Sequence, residues 1–502
     1  MCVKTFQSIH GIGLKRVRRV RMPPTVAPED KRGTHTHRTN RISEELKDQI
    51  KQHIQSFPKR QSHYSRNNNP DKIFLHENLT IRRMWLLYLG QHEPEQLRKL
   101  RQKEKMSPKV KCWLYTEVFK NDFNIGFGMP RSDTCLKCDQ LEMKIHEAEK
   151  CSDNNSKINF EKEKEIHLRK AQSAYDNLKL YTEKSKLSDD IDTYTFDFQQ
   201  NLPVPCLATS DLFYMRQLWT YNFGLHDMKT GDGIMHVWDE STALRGSSEV
   251  CSCLESTLSS RHRKATHLVL FSDGCCGQNK NKAMLTFLSS FCAKQSRKYK
   301  RVDHFFLVRG HTFLPNDRDF ALIEKRKKKE SPKVPSDYVN IIEASRTSQP
   351  FLVKQVNGND IKDYKGLADK SVKTSLISNT GEKVQMRSVM WFSYGESEEM
   401  DPVTGVETTV EHPDEVWCRY THNPLESWKK INPFKRNVKA GNLEAGKKYT
   451  KRVPIKAAKY KDLISLVDKG LLSEDVGVFY ANLPHDGEPN DAESEFEDDY
   501  VE

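Results

Sequence analysis

At 502 residues the chain is long enough for two or three domains, each with its own core. Hydrophobic residues make up 36% and charged residues 30%, and no apolar run approaches the roughly 18–20 residues that cross a bilayer, so no membrane partner is expected. Formal net charge is +12; residues 487–502 hold eight acids and no base, and removing them raises the balance to +20. A body that basic favours a polyanion, because each phosphate contact releases counterions, although a lysine-rich surface also serves solubility alone. Met1-Cys2-Val3-Lys4 lacks the apolar stretch of a secretory signal, so the chain is expected inside the cell. There its 12 cysteines stay reduced and point to metal binding or core packing rather than disulfides.

Five segments are expected: a basic arm and linker (1–40), an α-rich region (41–190), an α/β core (191–345), a mixed region (346–480) and an acidic tail (481–502). In the arm, Phe6, Ile9, Ile12 and Val17 sit at roughly helical spacing, interrupted by Gly11 and Gly13. This reads as helix, glycine turn and cationic helix, the last carrying Arg16, Arg18 and Arg19. It fits the end of a helix-turn-helix that enters a DNA groove, or a disordered basic arm. Pro23 to Asn40 is a linker. Helices are predicted from Ile42 to Ile54 with Ser43 as cap, from Ile81 to Lys103, and from Pro108 to Phe119. Asn159 to Lys186 is a long charged helix without a strict heptad, which favours packing within the chain over a coiled-coil arm.

At Tyr194 the texture changes to β-branched and aromatic runs alternating with helices. Strands are predicted at 194–198, 217–223 and 233–238, a helix at 247–259, a strand at 267–271, a helix at 281–296 and a strand at 302–308. Three strands, helix, strand, helix, strand is the RNase H order. The expected fold class is α/β: an RNase H-like mixed sheet flanked by helices, preceded by a mostly α N-terminal region with room for a zinc site. Val389 to Phe392 is strand-like, and Lys447 to Leu472 reads as helical.

Acids fall at telling places in this order. Asp197 lies inside the first strand among aromatic residues, where a carboxylate is costly unless paired or bound to metal. Asp273 ends the fourth strand, and Asp317, Asp319 and Glu324 follow the fifth. Three clustered carboxylates suit Mg²⁺ or Mn²⁺, and two such ions roughly 4 Å apart can hold the attacking and leaving oxygens of a phosphodiester. Glu249, in the helix after the third strand, sits where RNase H enzymes carry an extra acid. Each acid taken alone also fits a helix cap or an ion pair, Asp317 above all.

The stretches Phe196-Asp197-Phe198-Gln199-Gln200-Asn201-Leu202-Pro203, Arg216 to Phe223, Ser272 to Asn281 and Gly310 to Arg318 together resemble a transposon-derived family of uncharacterised proteins common in arthropods. The resemblance covers about residues 194–324. It implies an RNase H-like (DDE/DDD-type) transposase core with Asp197, Asp273 and Asp317 as its acids, Glu324 as a rival third and Asp319 as the variable position. The family's activity is itself an analogy from fold.

Cys135-Leu136-Lys137-Cys138 is a C-x-x-C turn that can put two thiolates on one Zn²⁺, or form a redox pair or two buried thiols. His167, at a position resembling one of that family, is a candidate third ligand, and His63 a candidate fourth. After Asp273, Gln278, Asn279 and Lys280 can hold a backbone phosphate or simply form a polar turn and cap. Lys325-Arg326-Lys327-Lys328-Lys329 fits a nuclear-import signal, a phosphate clamp or a solvated charge run. There is no P-loop and no G-x-S-x-G. The expectation is a nuclear, DNA-binding, transposase-derived protein, able to form homo-oligomers, with a metal-dependent phosphodiester cleavage or strand-transfer core. A catalytically silent DNA-binding descendant and a protein-interaction scaffold are the alternatives.

Overall fold

A computed structural model describes residues 2–20, 42–57, 60–61, 73–76, 79–102, 104–128, 135–207, 212, 215–261, 263–294, 298–400 and 407–487. The linker at 23–40, His63 and the acidic residues 488–502 lie outside them. The chain divides into two compact units, Met1–Pro130 and Arg131–Glu502.

The first unit is mostly helical. Helices α1 (Val3–His10) and α2 (Leu14–Val20) are separated by Gly11, which takes the left-handed backbone (φ 60°) that ends α1. In α3 (Glu44–Gln55), Ser43 caps as expected, accepting the Leu46 amide. Strands β1 (Arg60–Gln61) and β2 (Ile73–His76) precede α4 (Ile81–His92), α5 (Pro94–Arg101), α6 (Cys112–Asp122) and β3 (Ile125–Gly128). The helix expected over 81–103 is thus two. Pro94 cannot donate the hydrogen bond that continuation needs, so it starts α5, and the Glu93 carboxylate turns back to the amides of Lys109 and Val110. Ile50, Ile54, Met84, Tyr88, Leu89, Leu114, Tyr115 and Phe119 form this unit's core.

The second unit opens with a helical hairpin, α7 (Leu136–Lys150) and α8 (Asn154–Leu187). Then follow β4 (Ile191–Phe198), β5 (Leu202–Val204), β6 (Leu218–Asp227), β7 (Gly233–Asp239), α9 (Ser247–Ser260), β8 (His267–Ser272), α10 (Lys282–Ala293), β9 (Arg301–Phe306) and α11 (Pro315–Lys327). The C-terminal third adds α12 (Asp337–Glu343), β10 (Leu352–Gln355), α13 (Tyr364–Ser371), β11 (Trp391–Met400), β12 (Glu407–Arg419), β13 (Lys429–Ile431), α14 (Ala457–Asp468) and α15 (Glu474–Ala481). Helix α14 starts later than the expected Lys447, beyond Pro454.

One ten-stranded sheet organises the unit, and its centre runs β7-β6-β4-β8-β9. Strand β6 is antiparallel to β7 and β4, while β4, β8 and β9 are mutually parallel. This is the RNase H-like mixed sheet expected from the sequence. It extends further than expected: β10 adds to β7, and β11, β12 and β13 continue beyond β9. The region from 346 to 480 therefore completes the same sheet.

Alternation along the strands assigns the faces. Leu268 and Leu270 of β8 pack with α9 and α10, whereas Val269 and Phe271 meet Ala174, Leu178 and Tyr181 of α8. The long helix is thus packed within the chain, on the sheet. Near the start of β4 lies a buried charge network. Arg263 reaches Asp192 at 3.0 Å and Asp227 at 2.5 Å, and Tyr299 donates to Asp192 at 2.6 Å. Both carboxylates are almost wholly buried. Arg263→Met strips their main counter-charge and is expected to cost about 3 kcal/mol, read in denaturant as a lower midpoint at unchanged slope; an unchanged midpoint refutes that role.

Candidate active site and metal centre

Strand register brings the first two acids together. Thr195 of β4 pairs with Phe271 of β8, and two residues on in this parallel ladder Asp197 stands level with Asp273. The two lie at the ends of adjacent strands, as the sequence implied. On the other side Asp197 faces Gly224 of β6. A Cβ on Gly224 would meet the Phe320 ring at 2.8 Å, so glycine here lets α11 lie against the sheet. Asn316, fully buried, pins that helix's start: it accepts from Thr195 Oγ1 at 2.6 Å and donates to the Gly224 carbonyl at 2.8 Å. The next residue is Asp317.

Each carboxylate has an oxygen held by a nearby donor. Asp197 Oδ1 accepts the Phe198 amide at 2.7 Å, and Asp317 Oδ2 accepts the Leu314 amide at 2.7 Å. Asp273 Oδ1 accepts the Cys275 amide at 3.2 Å and the Asn279 side chain at 2.5 Å. Asp317 does serve as a helix-start acid, and it also acts on the pair: burial, then the charges of Asp273 and Asp317, push the Asp197 carboxyl well above its usual range. Burial likewise raises Asp273, against its hydrogen bonds and the cations Lys280 and Arg245. The three acids thus feel one another's charge, but among the described residues their oxygens do not come within 4.8 Å of one another as a group.

Glu324, the rival third acid, lies two turns beyond Asp317. It accepts from Gln199 at 2.8 Å and pairs with Lys327 at 2.9 Å. It helps to line a cleft of about 520 Å³ together with Phe198, Gln199, Gln200, Asp317, Phe320 and Ala321. Asp319 faces away, bonded to His226 Nδ1 at 2.6 Å. Glu249 is fully buried and holds Lys448 and Tyr449, each at 2.6 Å, so it fastens the C-terminal third to the core instead of serving as an extra site acid.

The phosphate contacts expected after Asp273 need correction. Asn279 is buried and spends its amide on Asp273. Lys280 is 5% exposed; its ammonium donates to the carbonyls of Arg387 and Val389 and lies 4.4 Å from the Phe306 ring centre, and burial brings its pKa down to about 8. Both act beneath the acids and are closed to DNA. Gln278 alone of the three stays partly exposed. Lys325 is exposed at the end of α11, Arg326 pairs with Glu330, and Lys327 pairs with Glu324. Arg16 is exposed on α2; the side chains of Arg18 and Arg19 lie outside what is described.

A second constellation is tighter. Cys135, Cys138, His167 and His311 are all buried, and their ligand atoms lie within 4.8 Å of one another, the one such group among the described residues. Cys135 Sγ is 3.1 Å from His167 Nε2, Cys138 Sγ is 3.4 Å from His311 Nε2, and the two Nε2 atoms are 3.2 Å apart. Ligands about 2.0–2.3 Å from a tetrahedral ion are spaced about 3.3–3.7 Å apart, so this cluster can hold a metal. Its fourth ligand is His311, in the loop between β9 and α11. The site therefore belongs to the second unit and not, as expected, to the N-terminal helical region. Gly310 makes the junction possible: at φ 79°, a Cβ there would meet the Cys135 Cα at 2.7 Å. Tyr175 of α8 adds a hydrogen bond to the His311 carbonyl at 3.0 Å.

The acids set a pH dependence. Asp197 and Asp273, with folded pKa values above their unfolded ones, hold protons in the metal-free fold that the unfolded chain releases near pH 4. Stability conferred by those protons is lost as pH rises from there through the raised values. Asp197→Asn is therefore expected to melt a few °C above the metal-free wild type at about pH 8, and Mn²⁺ to raise the wild type's Tm but not the variant's. Equal melting and equal Mn²⁺ response, by differential scanning fluorimetry, would count against a cation site.

Residues 225–392 match the model of a family described as "Domain of unknown function (DUF7869)". The matched span includes Asp273, His311, Asp317 and Glu324, and begins after Asp197 and the cysteine pair. No curated protein and no solved structure matches the chain.

Proposed function

We propose that this chain is a transposase-derived DNA-binding protein whose RNase H-like core carries out metal-dependent phosphodiester cleavage or strand transfer. The observation that carries the reading is the meeting of Asp197 and Asp273 on adjacent parallel strands, with Asp317 delivered by the helix after the fifth strand. Asp197, Asp273 and Asp317 would hold Mg²⁺ or Mn²⁺, which supplies charge stabilisation for the attacking and leaving oxygens. The chain's own contribution is orientation. Backbone amides and Asn279 fix one oxygen of each carboxylate, Asn316 and Gly224 seat Asp317, and Lys280 lends positive charge to Asp273 from below. The open cleft beside Asp317 gives a strand access. The excess of base over acid supports DNA as the substrate and a nuclear location.

Purified full-length protein is expected to nick supercoiled DNA with Mn²⁺ or Mg²⁺ and not with EDTA. Asp273→Asn should lower the rate by at least about 100-fold while DNA affinity, read by fluorescence anisotropy, holds. Wild-type binding without nicking would favour the silent DNA-binding alternative. Absence of both would leave the scaffold.

The metal of the Cys135, Cys138, His167 and His311 cluster is proposed to be zinc. Two thiolates and two imidazoles in a closed, buried tetrahedron suit a structural zinc, and no fifth ligand position is needed. Freshly purified reduced protein should carry about one zinc per chain. His311→Ala should lose it and cost on the order of 4 kcal/mol. Retention of the metal in His311→Ala, or none in the wild type by elemental analysis, overturns this assignment.

A further inference from the structure

Arg245 lies in the turn between β7 and α9, close enough for its charge to act on Asp197 and Asp273. Several arginines of the unit are engaged in ion pairs: Arg261 with Asp232, Arg263 with Asp227, Arg301 with Asp303 and Arg346 with Asp319. Arg245 is held differently, as is Arg419, which lies over the rings of Trp391 and Trp428 far from the acids in sequence. The Arg245 guanidinium stacks 4.7 Å from the ring centre of Phe198, the residue after Asp197, and its buried Nε has no hydrogen-bond partner. Its side chain is partly exposed, and among the described residues no carboxylate takes it in an ion pair.

An arginine held in this way is a preset donor. Stacking fixes the plane of the fork without using its N–H groups, and Phe198 is itself braced by Trp238 at 5.8 Å between ring centres. A guanidinium beside carboxylates would ordinarily fold onto one of them. Here amides and Asn279 hold one oxygen each of Asp197 and Asp273, while the Phe198 ring holds the guanidinium, and the two do not meet as an ion pair. The group whose shape and charge complete such a fork is a phosphate with two adjacent oxygens, since parallel N–H donors meet it bidentately. We propose that Arg245 binds the non-bridging oxygens of the DNA phosphodiester presented to Asp197, Asp273 and Asp317, which rests on the reading given under Proposed function.

The test uses full-length protein and a short fluorescein-labelled DNA duplex, with anisotropy followed across a salt series. Arg245→Met keeps the apolar stem against Phe198 and removes the fork; Arg245→Lys keeps a charge without the fork. The log–log salt slope should flatten by about 0.9 in Arg245→Met, one phosphate's worth, and recover in Arg245→Lys. Where the wild type nicks DNA, both variants should do so about 100-fold more slowly, because neither offers the paired donors. Mn²⁺ should still raise the Tm of both.

If Arg245 were only a counter-ion for the acids, Arg245→Met would lower the metal-free Tm, enlarge the Mn²⁺ response and leave the salt slope unchanged. That pattern overturns the proposal without touching the nuclease reading. A slope flattened in Arg245→Met, with a wild type that binds but never nicks, would sink the nuclease reading and keep Arg245 as a phosphate contact. Competition by inorganic phosphate that abolishes the difference between wild type and Arg245→Met would confirm that phosphate oxygens are what the fork holds. A wild type that does not bind the duplex removes both readings.

Discussion

Repulsion between carboxylates is the constraint around which the second unit is arranged. Parallel pairing of β4 with β8 places Asp197 beside Asp273 at the C-terminal ends of these central strands, and α11 brings Asp317 to them. Such a cluster works against folding unless something holds it. The means here are local and directional: amide donors to each carboxylate, Asn279 against Asp273, Asn316 locking the helix start, and Lys280 buried below. None of these contacts neutralises the cluster. The nearby cations Lys280 and Arg245 offset only part of the burial that raises Asp273, so the negative charge is held together by geometry more than by pairing.

Charge is handled in the opposite way elsewhere in the same sheet. Near the start of β4, Asp192 and Asp227 are closed off by Arg263 and Tyr299, and in β9 Asp303 is held by Arg301 and His267, which bring its carboxyl well below the usual range. These networks are saturated and buried, as structural ion pairs must be. The contrast within single strands separates the acids that hold the protein together from those that burden it. Glu249 falls on the structural side, clamped to Lys448 and Tyr449 from the C-terminal third.

The metal-competent cluster and the acid cluster share a connection. His311, between β9 and α11, and Asp317, in the first turn of α11, lie six residues apart, and Gly310 lets Cys135 press against the start of that stretch. The hairpin of α7 and α8, remote in sequence from the core strands, is thereby fastened to the segment that carries the third acid. Asn316 supplies a second, independent anchor on the sheet side. The placement of Asp317 is thus determined from both ends of one short loop.

The sequence by itself determined the order of strands and helices from 191 to 306, except for the short β5 that pairs with β6. Aromatic and β-branched residues dominate the runs there, so local preference and burial agree. It also marked Asp197 and Asp273, because a carboxylate in or at the end of such a run is costly to place. Cys135 and Cys138 declared themselves by spacing. What spacing cannot carry is contact between distant segments. His311 joins a histidine 144 residues away, and no local pattern marks it as a ligand. Gly224 and Asn316 matter only because α11 crosses β4 and β6, and Lys280 looked available until the chain from 387 to 389 covered it. The strands from 391 to 431 joined the same sheet through pairing with β9, a choice made by edges and not by composition. Arg245 was one basic residue among 81 until tertiary packing set it over Phe198, where the ring contact and a buried Nε without a partner single it out. Elements follow from local chemistry; which charge ends paired, buried or left waiting follows from what the fold lays against it.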